Sequence, residues 1–561
     1  MINKKNVVLK VVIILFISIG WVMANSIAKT GDPWSGVVNE DFIFGNVFLF
    51  LFMASVLSGI IYALEHLNKM RITRVEVDFP WWKVWALLLV FWAPYVILAS
   101  PGVVGWDGAD QLNAFFQVNM PKQAIHFYGT NYNFSNQQFY LTNHHPFMSS
   151  LFLATLFSLG KAVFQNTNGA IATVVLGQYI LMSLSITYLI MAIQKWQKTF
   201  LKLILFFFAF FPVFPLVIVN VNKTALLLAV YALFIGSLLR VISSENKNQI
   251  VVFTVATTIL LLVRNDTIIL LMVLLLTVTI LKLPFKKIYI SSAIALVIFI
   301  GWNKFLLPAV KVLPTEPVEA LAVPSQQIAY TLVHNPKAYT KQDMAVLKKV
   351  ADLDAMKKAY TDGAYDPVKH TFYYYPDGFW QKGKTYEKAL RLLAKAPIVQ
   401  YKSDYFKVWF NGLIKSPTTY VKAYLLNYYH YFYFGDMKIN LDLFYQGGFV
   451  DYEHSNLFKG LDYTESTGRK NLSYWSDVQQ TVPILKTMLT TGFWGVAALV
   501  MLVLAVDMKN KSAILLTSLA LGSIIVGMLS PVDGYLRYVM PLMISMPIIL
   551  VILFQHKEGE V

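Results

Sequence analysis

Two carboxylates and two imidazoles mark residues 100–146 as the stretch where this chain could do chemistry. Asp107 and Asp110 stand near its start, in SPGVVGWDGADQL, just past an apolar run. His144 and His145 stand near its end, in LTNHHPF, just before another. The acids are three apart, which puts both on one face if the segment is helical. Asp107 lies between Trp106 and Gly108, and a half-buried carboxylate there is expected to gain basicity and to suit taking a proton from a hydroxyl. Asp110 also has the plainer reading of a solvated loop acid. Pro146 reads as the first turn of the next helix, which accounts for the proline but not for two adjacent imidazoles. A long polar loop between apolar segments, carrying such groups, is a natural place for a site.

Other polar groups interrupt apolar sequence. They are residues 220–223 (NVNK) with Lys223, the run Arg264-Asn265-Asp266, and residues 533–538 (DGYLRY) with Tyr535 and Arg537. Ionisable groups at membrane depth are costly and usually face a cavity. Each has a bland alternative: Lys223 and Arg264 can snorkel to an interface, and Asp266 can be no more than the partner of Arg264. The planar fork of Arg537 suits a phosphate or diphosphate. Acid and cations together suggest a lipid-phosphate donor, with Asp107 as general base, Asp110 as the second catalytic candidate, and Lys223, Arg264 and Arg537 holding the departing phosphate. His144, His145, Asp266 and Tyr535 are then expected on the substrate and acceptor side. A divalent cation, Mg or Mn, is a conceivable cofactor for histidines beside acids, but the ligand spacing is not diagnostic. No P-loop, GxGxxG, HExxH or GxSxG stands in a credible context.

The frame that must position these groups is a membrane. Of 561 residues, 57% are hydrophobic and only 14% charged, with mean hydropathy +0.54, against about 25% charged in soluble domains. The net charge of +16 fits basic cytoplasmic loops and anionic lipid rather than nucleic acid. The absence of Cys removes disulfides and thiolate chemistry, and an outer domain without disulfides fits a bacterial plasma membrane.

Apolar runs at 8–28, 42–64, 82–100, 170–193, 201–218, 223–241, 250–264, 267–282, 288–306, 486–506, 512–530 and 535–554 are long enough, at roughly 16–24 residues, to be spans. The run 250–264 is short enough to be tilted or broken. Lys4, Lys5 and Lys10 put the N-terminus in the cytoplasm. The run 147–164 is also apolar. If it crossed, Lys195, Lys198, Lys202, Lys282, Lys286 and Lys287 would face outside. If it lies on the outer surface as an interfacial helix, those lysines fall inside, as do Arg240, Lys247, Lys509, Lys511 and Lys557. The expected fold is therefore an all-α polytopic membrane protein with about 12 transmembrane helices and both termini inside. Its first run admits a second reading as a signal peptide, with Ser26-Ile27-Ala28 as a weak cleavage match.

Residues 307–485 form a hydrophilic insert, large enough for a domain, expected outside and α-rich. It opens with Pro308, Pro314, Pro317 and Pro324. Residues 340–360 and 385–396 have helical spacing. The Tyr-crowded segment 417–434 reads as an aromatic belt at the interface in preference to a platform stacking on sugars.

The layout resembles the GT-C superfamily of integral-membrane glycosyltransferases, whose first large outer loop carries an essential acid and whose donor is a polyprenyl-phosphate sugar. The stretches WDGADQ, HHPF, VPSQQIA (323–329) and GYLRY are similar to an uncharacterised family of Gram-positive multi-pass proteins, itself GT-C-like. The resemblance implies two N-terminal helices in 1–80, a seven-span core in 81–306 with its first outer loop at 101–169, the outer domain at 307–485 and three C-terminal helices in 486–561. Asp107 takes the place of the loop acid, without an Asp-x-Asp pair. The implied function is transfer of a sugar from polyprenyl phosphate to a cell-surface glycan, lipid or polymer. Rivals are a ligase or polymerase using a lipid diphosphate, a transporter or flippase of lipid-linked saccharides, and a non-catalytic scaffold. A transporter should show repeated halves and charges spread through the membrane depth, and neither is visible.

Overall fold

Every apolar run marked in the sequence is helical in the computed structural model. The structure describes residues 4–35, 40–69, 78–119, 124–127, 130–133, 138–194, 196, 198, 200–243, 247–283, 286–360, 365–373, 385–435, 455–461, 467–530 and 534–554. Lys195, Pro531, Asp533 and Lys557 lie outside them.

In chain order the helices are α1 (Lys4–Thr30), α2 (Glu40–Lys69) and α3 (Trp81–Leu98), then strand β1 (Val103–Val104) and α4 (Trp106–Phe115). A hairpin of β2 (Ala124–Phe127) and β3 (Thr130–Asn133) follows. Next come α5 (Phe147–Phe164), α6 (Thr167–Gln194), α7 (Leu201–Phe210), α8 (Val213–Ile218), strand β4 (Asn220–Val221), α9 (Lys223–Ser243), α10 (Lys247–Val263), α11 (Ile268–Ile280) and α12 (Lys286–Gly301). The hydrophilic insert holds α13 (Ala322–His334), α14 (Lys341–Val350), α15 (Leu353–Ala359), α16 (Tyr386–Ala394), α17 (Lys402–Lys415), α18 (Pro417–Tyr428) and α19 (Thr467–Thr481). The chain closes with α20 (Thr491–Asp507), α21 (Lys511–Met528) and α22 (Met540–Leu553). Among the described residues eight helices are long and apolar enough to cross a membrane, and five apolar helices are shorter. The protein is an all-α polytopic membrane protein.

Lipid tails are as apolar as leucine, so helices in a membrane associate through close packing and polar contacts. Both are present. Gly236 of α9 lies against Tyr188 and Leu189 of α6, and Gly160 of α5 against Ala170 and Thr173 of α6, where a Cβ would meet neighbours within 3.2 Å. The Trp85 indole donates to Ser183 at 3.0 Å and Tyr179 donates to the Leu89 carbonyl, which fixes α3 and α6 antiparallel. At one end of this pair the Phe79 N–H meets Gln194 at 3.2 Å and Lys198 meets Asp78 at 2.7 Å.

The run 201–218 breaks at Phe211-Pro212 into α7 and α8, since proline cannot supply the helical N–H. The run 250–264 is an unbroken helix, α10. The run 147–164 is the single helix α5. It is long enough to cross and packs as a hairpin against the first half of α6: Leu156 on Gly177, and Phe164 on Gly169. Helix α1 is a packed element: Ile27 is buried with Tyr330, Ala423 and Leu426 of the insert.

The insert has a core of its own, running from Val318 to Val408. The VPSQQIA stretch is its polar stitching on α13. Ser325 bonds the Tyr405 hydroxyl at 2.7 Å. Gln327 donates to the Tyr420 carbonyl at 3.1 Å and accepts from Trp409 at 2.8 Å. Residues 340–360 form two helices, α14 and α15, each started by a side-chain cap from Thr340 and Asp352. In the Tyr-crowded segment Tyr420, Tyr428 and Tyr431 are buried, while Tyr424, Tyr429 and Tyr433 are half-buried.

Candidate functional site

The site begins with two very short strands. β1 pairs in parallel with β4, Val103 opposite Asn220 and Val104 opposite Val221. Each strand runs straight into a helix, β1 into α4 and β4 into α9. The pairing therefore sets Asp107, in the first turn of α4, beside Lys223, the first residue of α9. Gln178 of α6 secures the turn by donating to the carbonyls of Ile218 and Asn220 at 2.7 and 2.8 Å. Gly108 allows the approach, because a Cβ there would stand 1.8 Å from the Val221 carbonyl oxygen.

Asp107 Oδ2 lies 3.3 Å from Lys223 Nζ and 3.1 Å from Arg537 Nη1. Burial pushes this carboxyl up, but Lys223, Arg537 and His145 outweigh it and hold it well below the ordinary carboxylate range. The gain in basicity expected from sequence is thus reversed. That expectation rested on desolvation alone, and two cations folded in from distant segments overrule it. Lys223 sits at the positive end of the α9 dipole, an unfavourable place for a cation, so Asp107 compensates it.

The histidines extend the cluster in two directions. Lys223 donates to His145 Nδ1 at 2.8 Å, which leaves the His145 Nε2 to face Asp110 Oδ2 at 3.3 Å. Burial and the neighbouring ammonium push His145 down, towards the neutral imidazole. Asp110 is therefore a partner of His145 rather than a solvated loop acid. His144 turns the other way. Its Nδ1 lies 2.8 Å from Glu316 and 3.9 Å from Glu319, and Glu319 also meets Lys369 at 3.1 Å. Burial opposes its protonation, but Glu316 and Glu319 prevail and raise it to about 9.

Arg264 and Asp266 are joined through Nε at 2.7 and 2.9 Å, the bland pairing of the two. Arg264 still borders the site, since its guanidinium lies 5.0 Å from the Tyr538 ring, and that of Arg537 lies 5.4 Å from the same ring. Tyr535 stacks on Arg537 at 4.9 Å.

Sequence reasoning thus named Asp107, Asp110, His144, His145, Lys223 and Arg537, and the fold brings them into one cluster. It missed Glu316, Glu319, Lys369 and Tyr538. The signal available was PTEPVEA, two acids set among prolines. Two sets of side chains have metal-ligand spacing: Asp110 with His144 and His145, and His144 with Glu316 and Glu319. The N-termini of α4, α5 and α9 all begin at this cluster, and such termini favour anions.

The chain belongs to DUF6020, a family of unknown function, whose model matches residues 53–561. No curated protein and no solved structure matches it.

Proposed function

We propose that this DUF6020 member is a membrane glycosyltransferase that moves a sugar from a polyprenyl-phosphate donor to a cell-surface glycan, lipid or polymer at the outer face of a bacterial plasma membrane. The observation that carries the reading is the half-buried Asp107 carboxylate gripped between Lys223 and Arg537. A carboxylate that closes a pair of cations in the resting protein marks a place where another anion can bind. A phosphate oxygen competes for both donors, with the α9 N-terminus behind it.

The chemistry follows from that exchange. As Lys223 and Arg537 turn to the phosphate, Asp107 loses what holds its carboxyl low, and its basicity returns as the donor arrives. Asp107 takes the proton of an acceptor hydroxyl. The acceptor oxygen bonds to the anomeric carbon, and the bond from that carbon to the phosphate oxygen breaks. Its electron pair leaves on the phosphate, where Lys223 and Arg537 stabilise it. Neutral His145 orients Lys223 and is itself oriented by Asp110.

The proposed topology has twelve spans with both termini inside. In it α5 returns to the side it left, a reading supported by His145, before it, touching Asp110 and Lys223, and by Thr167, after it, donating to the Lys459 carbonyl of the insert at 2.9 Å. The deciding experiment uses Asp107→Asn, purified and shown to be folded. Sugar transfer from a polyprenyl-phosphate donor should fall by about 10²–10⁴; wild-type turnover would remove Asp107 as the base.

A further inference from the structure

We propose that His144, Glu316 and Glu319 form a binding site for one divalent first-row cation, zinc or manganese, that clasps the catalytic loop to the outer domain. The inference stands apart from the transferase reading, since it concerns the other face of His144.

The ligand atoms come from two rigid segments far apart in sequence. Residues 141–143 lie alongside 313–315 as a short ladder. Leu313 N–H donates to the Leu141 carbonyl at 2.8 Å, Asn143 N–H to the Leu313 carbonyl at 2.8 Å, and Thr315 Oγ1 to the Asn143 carbonyl at 2.7 Å. Thr142 Oγ1 accepts the His144 N–H at 2.9 Å. Pro314 and Pro317 flank the pair Thr315 and Glu316 and restrict its backbone. The ligands are thus preorganised before any ion arrives, as a specific site requires.

Their spacing fits one ion. His144 Nδ1 is 2.8 Å from Glu316 and 3.9 Å from Glu319, and one ligand atom from each of the three lies within 4.8 Å of the others. With metal–ligand bonds of roughly 2.0–2.2 Å, neighbouring ligands of one ion stand about 3–3.5 Å apart and opposite ones about 4.3 Å. Glu316 is only 5% exposed, and a buried carboxylate needs a compensating cation. In the metal-free protein His144 fills that role for Glu316 and Lys369, at 3.1 Å, for Glu319; a dication binding here displaces the His144 proton and takes its place. Lys369 then serves as an outer partner that orients Glu319. One imidazole beside two carboxylates suits zinc or manganese better than magnesium, which prefers oxygen and keeps its waters.

The test uses the full chain purified in detergent, stripped with chelator, and titrated by calorimetry with zinc chloride and separately with manganese chloride. Wild type should show one saturable site. Glu316→Gln and Glu319→Gln, each monodisperse on gel filtration, should lose at least tenfold in affinity, while Asp110→Asn should keep it. Because Glu319 is half-buried, its variant remains informative where the Glu316 variant does not fold. Equal affinity in wild type and Glu319→Gln would overturn the site, as would no saturable binding to wild type. Loss in Asp110→Asn with retention in Glu319→Gln would place the ion on the opposite side of His144 and overturn it too.

Discussion

Lys223 stands 3.3 Å from Asp107 and 2.8 Å from His145, so one ammonium holds both a carboxylate and an imidazole in their charge states. It pulls the Asp107 carboxyl down and, with burial, keeps His145 neutral. The cluster is coupled through this residue.

Removing that ammonium should therefore move two titrations at once. In Lys223→Gln the Asp107 carboxyl should rise towards the ordinary range and His145 should protonate more readily. The acid limb of the pH–activity profile should shift upward, and donor KM should rise about tenfold or more, as expected for loss of a charged contact. An unchanged acid limb would show that Lys223 does not set Asp107.

A methyl group at Gly108 tests the close contact between α4 and β4. The Gly108→Ala Cβ would lie 1.8 Å from a backbone oxygen, which cannot move aside as a flexible side chain can. Overpacking costs about 1–3 kcal/mol, so the melting temperature should drop and activity should fall by displacement of Asp107. A fully stable, fully active variant would contradict the contact.

His144 sets a pH window for stability in metal-free protein. Its pKa is raised from 6.5 to about 9, so its ion pair with Glu316 contributes fully below about 6.5 and is lost as pH rises through about 9. Melting temperature should decline across that interval in wild type. Glu316→Gln should be less stable at pH 6 and show a flatter profile; parallel profiles would rule the pair out as their origin.

Cysteine labelling in intact cells tests the orientation. The chain has no native cysteine, so single cysteines at Lys202 and Lys337 report directly. Membrane-impermeant reagent should reach position 337 and not 202. Labelling at 202 and not at 337 would contradict this topology, and a third single cysteine at Lys29 then separates the causes: it labels if α5 crosses and does not label if the whole protein is inverted.

The membrane class and nearly every helix were legible because burial in lipid demands long apolar runs, and such runs are visible one residue at a time. Asp107, Lys223 and Arg537 were legible as candidates for the same reason: each interrupts or borders an apolar run, where a charge is costly without a partner. The insert was legible as a helical domain from its amphipathic spacing, but the role of its Tyr-rich segment was not, since spacing does not say whether a ring faces lipid, water or protein.

By itself, the sequence determined the chemistry on offer: which acids, imidazoles and cations lie at the edges of apolar helices. Only the tertiary structure decided their charge. A carboxyl's basicity depends on what stands within a few ångströms, and here Lys223 and Arg537 reach Asp107 through a parallel strand pair and a helix from the far end of the chain. That proximity turned an expected rise in basicity into a fall, and it joined His144 to Glu316 of the hydrophilic insert.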